Sequence, residues 1–232
     1  LYAPTHRDYQ RGFTPRFDLE RLVRALGPGY VLLMRAHYYY PRDPRLQELQ
    51  EQGVIVDVSG HPSTEELCLA ADVLLTDYSS IMFDYANLDR PIVVYADDWE
   101  TYRAARGVYF DLLSGKPGET PGAVATTEEE LAEVFVSGAW DSKEAAELRA
   151  AFRERFCQYD DGKAAERVVR RVMLGEPAEK LPAIVPLADR RPAPDPRTAL
   201  AERRAAGGSA RSAAEGSSAP ATSEILTPER ST

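Results

Sequence analysis

The stretch LLTDYSSIMFD, Leu74 to Asp84, follows the apolar Val73 and runs through Thr76-Asp77-Tyr78-Ser79-Ser80 into a helix-spaced set of large side chains, Ile81, Phe83, Tyr85 and Leu88. A short buried strand that breaks into hydroxyl residues and then a helix builds an anion site. The first backbone N–H groups of the helix have no internal partner and point outward, and two serines add hydroxyl donors for phosphate oxygens. Serines at a helix start are also ordinary caps, so this segment alone leaves phosphate binding and capping both open.

Working outward, the same alternation repeats on either side. Strands are expected at Leu1–Ala3, Tyr30–Met34, Val54–Val58, Val73–Leu75 and Pro91–Tyr95. Between them, Leu19, Leu22, Val23 and Leu26 have helical spacing behind Asp18 and stop at Gly27. A short helix is read at Leu46–Gln52. Ser63-Thr64-Glu65-Glu66 is a capping box opening a helix to Ala71, and Ser80–Leu88 is a further helix. Beyond the fifth strand, Trp99 and Tyr102 are read as anchors of a loop. A second capping box, Thr127 to Glu130, opens a helix to about Val136, and helices follow near Ser142–Cys157 and Lys163–Leu174. Strand and helix in alternation predict an α/β fold, a Rossmann-like parallel sheet with helices on both faces. Ligands of such sheets bind beyond the carboxyl ends of the strands.

Polar residues collect at those ends. The first strand runs into Pro4-Thr5-His6-Arg7-Asp8, the second into Arg35-Ala36-His37, the third into Ser59-Gly60-His61-Pro62-Ser63, and the fourth into Asp77-Tyr78-Ser79-Ser80. All three histidines and two arginines thus fall on one rim. A lone histidine is commonly a structural group, and Arg7 could simply pair with Asp8. Arginine and histidinium together beside hydroxyls suit a pyrophosphate. Asp84 lies one turn after Ser80 on the same face; it either accepts a hydrogen bond from a ligand hydroxyl or complements the helix start. Asp77 could orient the turn or a histidine. Asp97-Asp98 read as loop carboxylates rather than metal ligands, since no histidine cluster accompanies them. Tyr38-Tyr39-Tyr40 either stacks on a base or packs its loop onto the domain, and packing is preferred.

Composition narrows the class. With 28 basic and 37 acidic residues the chain carries a net charge of -9, which disfavours nucleic acid as a partner. Residues 176–232 hold eight of the 17 prolines, eight basic and eight acidic residues, so the excess charge belongs to residues 1–175. Poor in apolar and aromatic residues, 176–232 is expected to be a disordered tail. Cys68 and Cys157 form no CxxC pair and read as reduced core thiols. No run approaches the roughly 18 apolar residues of a membrane span, and no basic-then-apolar leader is present. Leu1 opens inside a strand-like run, which suggests a start partway through a larger protein. The absence of GxGxxG after the first strand, of a Walker loop and of GxSxG argues against a nicotinamide dehydrogenase, a P-loop ATPase and a serine hydrolase.

YAPTHRD at 2–8, LLMRAHYY at 32–39, TEELCLAADVLLTDYSSIMFDYANLDRPIVVY at 64–95 and GVYFDL at 107–112 together resemble the CDP-glycerol glycerophosphotransferases of teichoic-acid synthesis. The likeness covers about residues 1–175. It implies the C-terminal, donor-binding Rossmann-like half of a two-domain GT-B architecture; no cofactor is expected, and no metal, for want of a histidine cluster. It implies a donor pocket of Pro4, Thr5, Arg35, Ala36, His37, Ser79, Ser80 and Asp84. In that pocket His37 contacts the donor phosphates as the catalytic residue of this half. Arg7 is added from its position alone. The implied reaction moves glycerol phosphate, or a related polyol phosphate, from a CDP-alcohol to a hydroxyl of a lipid-linked cell-wall acceptor and releases CMP. The implied location is peripheral, on the cytoplasmic face of the membrane. The family's Trp-His-Gly motif, which lies in the preceding N-terminal domain and carries the expected general base, has no counterpart here, because neither Trp99 nor Trp140 precedes a histidine. Two other readings stay open: a nucleotide-sugar GT-B glycosyltransferase domain and a catalytically silent nucleotide-binding module.

Overall fold

The computed structural model describes residues 1–8, 12–37, 39–41 and 43–190. They belong to one unit. Six parallel strands, β1 (Tyr2–Ala3), β2 (Leu33–Met34), β3 (Val56–Asp57), β4 (Leu74–Thr76), β5 (Ile92–Tyr95) and β6 (Ala123–Ala125), form a single sheet in the order β3-β2-β1-β4-β5-β6. Tyr2 lies opposite Met34 on one side and Leu75 on the other. The chain therefore reverses its direction of travel across the sheet between β1 and β4, and that is where a crevice opens at the carboxyl edge.

Alternation along the strands fills two cores. Ala3, Leu74, Ile92 and Val94 face one side, with Leu67 and Cys68 of α3 (Thr64–Ala70), Ile81, Met82 and Tyr85 of α4 (Ile81–Ala86) and Phe152 of α7 (Lys143–Phe156). Tyr2, Leu75, Val93 and Tyr95 face the other, with Leu19 and Leu22 of α1 (Leu19–Leu26), Leu46 and Leu49 of α2 (Pro44–Glu51) and Leu131 of α6 (Glu128–Val136). The period-two pattern of a strand covered on both faces produces this division.

Local chemistry sets the helix ends. Asp18 accepts from the Arg21 N–H and Gly27, at φ 75°, ends α1. Asp43 caps α2 with Pro44 in the first turn. At α6 the capping box is complete. At α3 only half of the expected box forms: Ser63 Oγ accepts from the Glu66 N–H at 3.1 Å, but the Ser63 hydroxyl donates to Glu65 at 3.0 Å.

Three expectations about elements change, and one segment differs from its reading. The strand β6 was not expected. The loop after β5 is a helix, α5 (Trp99–Arg106). The helix expected near Lys163–Leu174 is α8 (Ala164–Val168) followed by a wider π turn at Val169–Met173. The segment 176–190, expected to begin a disordered tail, holds two 3₁₀ turns, Ala178–Lys180 and Leu187–Asp189. It bonds back to the chain before it: the Val185 N–H donates to Asp161, and the Arg190 guanidinium donates to the carbonyls of Cys157 and Gln158. The remainder of that expected tail, 191–232, lies outside the described residues. Among the described residues no helix is long and apolar enough to cross a membrane.

Candidate functional site

A cleft of about 500 Å³ opens over the carboxyl ends of β1 and β4. Ala3 and Pro4 supply one wall, Arg35, Ala36 and His37 a second, and Thr64, Glu65, Cys68 and Leu69 of α3 a third. Ser79, Ser80, Ile81, Asp84 and Leu88 close it. Four loops after four different strands therefore meet over one crevice.

Each polar side chain is held by a specific neighbour. Arg35 donates to the carbonyls of Val58 and His61 and to the Thr64 hydroxyl, at 3.2, 2.9 and 3.0 Å. No carboxylate lies within ion-pair distance of it among the described residues, so its charge enters the cleft without an ionic partner. The backbone N–H of Ala36 donates to Ser59 Oγ at 2.9 Å, which fixes the 35–37 turn.

His37 Nδ1 accepts from the Tyr39 N–H at 3.3 Å. The proton of the neutral ring accordingly sits on Nε2. Burial, then His6, then Arg35 push the His37 pKa below its ordinary value, so the imidazole is neutral near pH 7 and serves as a hydrogen-bond donor. Ser79 Oγ accepts weakly from the Ile81 N–H at 3.4 Å, while the Ser80 side chain makes no capping bond. Burial, then Glu65 and Asp160, raise the Asp84 pKa. Burial also lifts the Cys68 thiol to about 11, which leaves it an uncharged part of the wall rather than a nucleophile.

Two of the expected site residues stand elsewhere. Arg7 does not line this cleft. Its side chain is 2% exposed, and its guanidinium donates to Asp77 at 2.9 Å, to both oxygens of Asp98 at 3.0 Å and to the Thr5 carbonyl at 2.9 Å. Its position after β1 suggested a phosphate contact, but two acidic partners already neutralise it. Thr5 is likewise turned away, its N–H and hydroxyl both donating to Asp77. The carboxylates of this cluster are thus explained as ion-pair partners: Asp98 by Arg7, and Asp97 by Arg16. Tyr40 packs its loop, accepting from the Arg7 N–H at 2.9 Å, whereas Tyr39 is 66% exposed. The structure gives Tyr38 no description.

Thr64, Glu65, Cys68 and Leu69 were missed as cleft residues. Their signal was the helix start following β3, which the topology brings to the same rim as the other loops.

A family profile described as CDP-Glycerol:Poly(glycerophosphate) glycerophosphotransferase matches residues 1–174. The chain belongs to this family. Among similar glycerophosphotransferases, the teichoic acid poly(glycerol phosphate) polymerase of Bacillus subtilis is 37% identical over 183 residues, covering 76% of this chain and 24% of that protein. The teichoic acid glycerol-phosphate transferase of Staphylococcus aureus is 35% identical over 181 residues, covering 74% and 44%. A solved structure of the wall teichoic acid polymerase TagF aligns with a TM-score of 0.59 at 33% identity, over 75% of this chain and 42% of that one. The chain spans between about a quarter and under half of these relatives' lengths.

Proposed function

We propose that this chain is the donor-binding half of a transferase that moves glycerol phosphate, or a related polyol phosphate, from a CDP-alcohol to an acceptor hydroxyl in teichoic-acid-type synthesis. The observation that carries this reading is the convergence of Arg35, His37, Ser79 and Ser80 on the crevice between β1 and β4. Family membership supplies the substrate class, and one TagF structure is of a variant soaked with CDPG.

In this reading the pyrophosphate lies between Arg35 and the Ser79-Ser80 turn, and Asp84 accepts from a hydroxyl of the polyol. An acceptor oxygen forms a bond to the phosphorus bearing the glycerol as the bond from that phosphorus to the bridging oxygen breaks. CMP leaves with the electron pair. The His37 Nε2–H donates to the phosphoryl oxygens on which charge develops, a stabilisation by positioned dipoles and charges. The proton of the acceptor hydroxyl passes to a base outside residues 1–232, on the Trp-His-Gly element of the preceding GT-B domain. The isolated chain then binds donor without turning it over, and steady CMP release by it would refute that assignment. A lipid-linked acceptor places the parent protein peripherally at the cytoplasmic membrane face.

Calorimetric titration with CDP-glycerol, CDP-ribitol and UDP-glucose tests the reading. Binding of a CDP-alcohol is expected, weakened about tenfold to a hundredfold by His37→Ala, in keeping with the 1.5–3 kcal/mol of a hydrogen bond to a charged group. Binding of UDP-glucose in preference to both CDP-alcohols would favour a sugar transferase instead.

A further inference from the structure

The ring beside His37 is not part of the cleft wall, yet the fold builds it into the cleft's chemistry. His6 Nδ1 lies 3.0 Å from Asp8 Oδ1, and the other oxygen of Asp8 pairs with Arg106 at 2.8 Å. The His6 ring packs against His37 at 5.3 Å between centroids, against Tyr40 at 4.8 Å and edge-on to Tyr39 at 5.5 Å. Tyr40 is itself fixed from behind by the Arg7 N–H, so His6 sits in a part-exposed aromatic slot.

The two imidazoles are held in complementary forms. Asp8, an acceptor, holds a proton on His6 Nδ1; the Tyr39 N–H, a donor, keeps the proton of neutral His37 off its Nδ1. We propose that His6, clamped by Asp8, is a positioning residue for His37: it fixes the ring at the mouth of the cleft and keeps it a neutral hydrogen-bond donor. Among the described residues, Asp8 and, through it, Arg106 face His6, and Arg35 faces His37 from the turn after β2; the rings of Tyr39 and Tyr40 lie against the pair. A positive charge on the ring clamped by Asp8 would oppose a proton on His37, 5.3 Å away, and the lowered affinity of His37 for a proton, to which burial contributes first and His6 second, agrees.

The chain has three histidines, so their imidazole resonances can be followed one by one by NMR across pH. His6→Phe keeps a ring in the slot and removes its charge. The expected result is a rise of the His37 midpoint by about half a pH unit, the size expected of one partly screened neighbouring charge. His6→Gln repeats the test without the ring, and His61→Phe, a change at the β3 loop, leaves the His37 midpoint where it was. A His37 midpoint unmoved in folded His6→Phe and His6→Gln, or moved as far by His61→Phe, overturns the proposal. A second arm rests on the donor-site reading above. Protonation of His37 tightens CDP-glycerol binding as pH falls, and in His6→Phe the tightening begins at higher pH. Failure of CDP-glycerol to bind at all would count against the donor site alone, because the NMR titration needs no ligand.

Discussion

Arg7 joins four loops, three of them through one planar guanidinium and the fourth through its backbone N–H. It reaches Asp77 after β4, Asp98 after β5 and the Thr5 carbonyl after β1, while its N–H holds Tyr40 after β2. Its face lies 4.9 Å from the Tyr78 ring and 5.1 Å from that of Tyr102. Removing one partner of a buried ion pair leaves the other charge uncompensated, at about 3–5 kcal/mol. Arg7→Ala is therefore expected to lower stability by that amount in urea unfolding, and Arg7→Lys to recover only part of it, because an ammonium lacks the fork that matches two carboxylates. Asp84 gives a second prediction. Its raised pKa means that the carboxylate ionises at a higher pH than usual. In the proposed role of acceptor from a donor hydroxyl it binds best when ionised, so donor affinity is expected to rise as the group ionises, and Asp84→Asn to flatten that rise in titrations across pH. The sequence already placed Pro4, Arg35, Ala36, His37, Ser79, Ser80 and Asp84 on one rim, because parallel topology puts every strand end there. The roles of Arg7 and Thr5 were not legible: which rim residues turn inward depends on where Asp77 and Asp98 come to rest, and no local pattern encodes that.

The elements best read in advance were those with strong local signals. Thr127 and Glu130 form their reciprocal cap, and Thr127→Ala is expected to cost about 1 kcal/mol in thermal or urea unfolding. The missed strand β6 is only Ala123-Val124-Ala125, too short and too small-chained to show a period. Its sign was Gly122. A Cβ there would clash with the Ile92 carbonyl oxygen, since the backbone enters the sheet against β5. Overpacking against rigid backbone costs about 1–3 kcal/mol and sometimes more, so Gly122→Ala is expected at or above the upper end, read as a loss of urea midpoint. The helix α5, read as a loop, starts without a side-chain cap: the Asp98 carboxylate binds Arg7 and the Tyr78 hydroxyl instead. In the opposite sense, Tyr30 and Val31 looked like strand residues but are exposed, at 41% and 71%, and only Leu33–Met34 join the sheet.

At the scale of the whole molecule, the described chain ends in a hook that returns to the body. Asp161 accepts from the Arg167 guanidinium and from the backbone N–H groups of Val185 and Lys163, and these bonds hold its carboxyl well below the usual carboxylate range. A carboxylate depressed in the folded state contributes stability that is full above its unfolded pKa of about 3.9 and is lost as pH falls further. Hydrogen exchange at Val185 and its neighbours is expected to quicken as pH drops below about 4, relative to the exchange of the sheet at the same pH, and in Asp161→Asn to be fast already at pH 7. The sheet order has a comparable reach. It assigns the crevice to β1 and β4 whatever the side chains, and it leaves the chemistry of that crevice to residues such as Glu65 and Asp84 on the helices that follow the strands.

Because one guanidinium spans the gaps between neighbouring loops, those loops cannot vary in length independently. A residue inserted between Pro4 and Arg7, or between Ala96 and Asp98, would pull the charge out of register with both acids at once. Diversification of a scaffold tied in this way runs through exchange of side chains on a frozen rim, and grafting whole loops from a relative would have to carry the matching arginine and aspartates together.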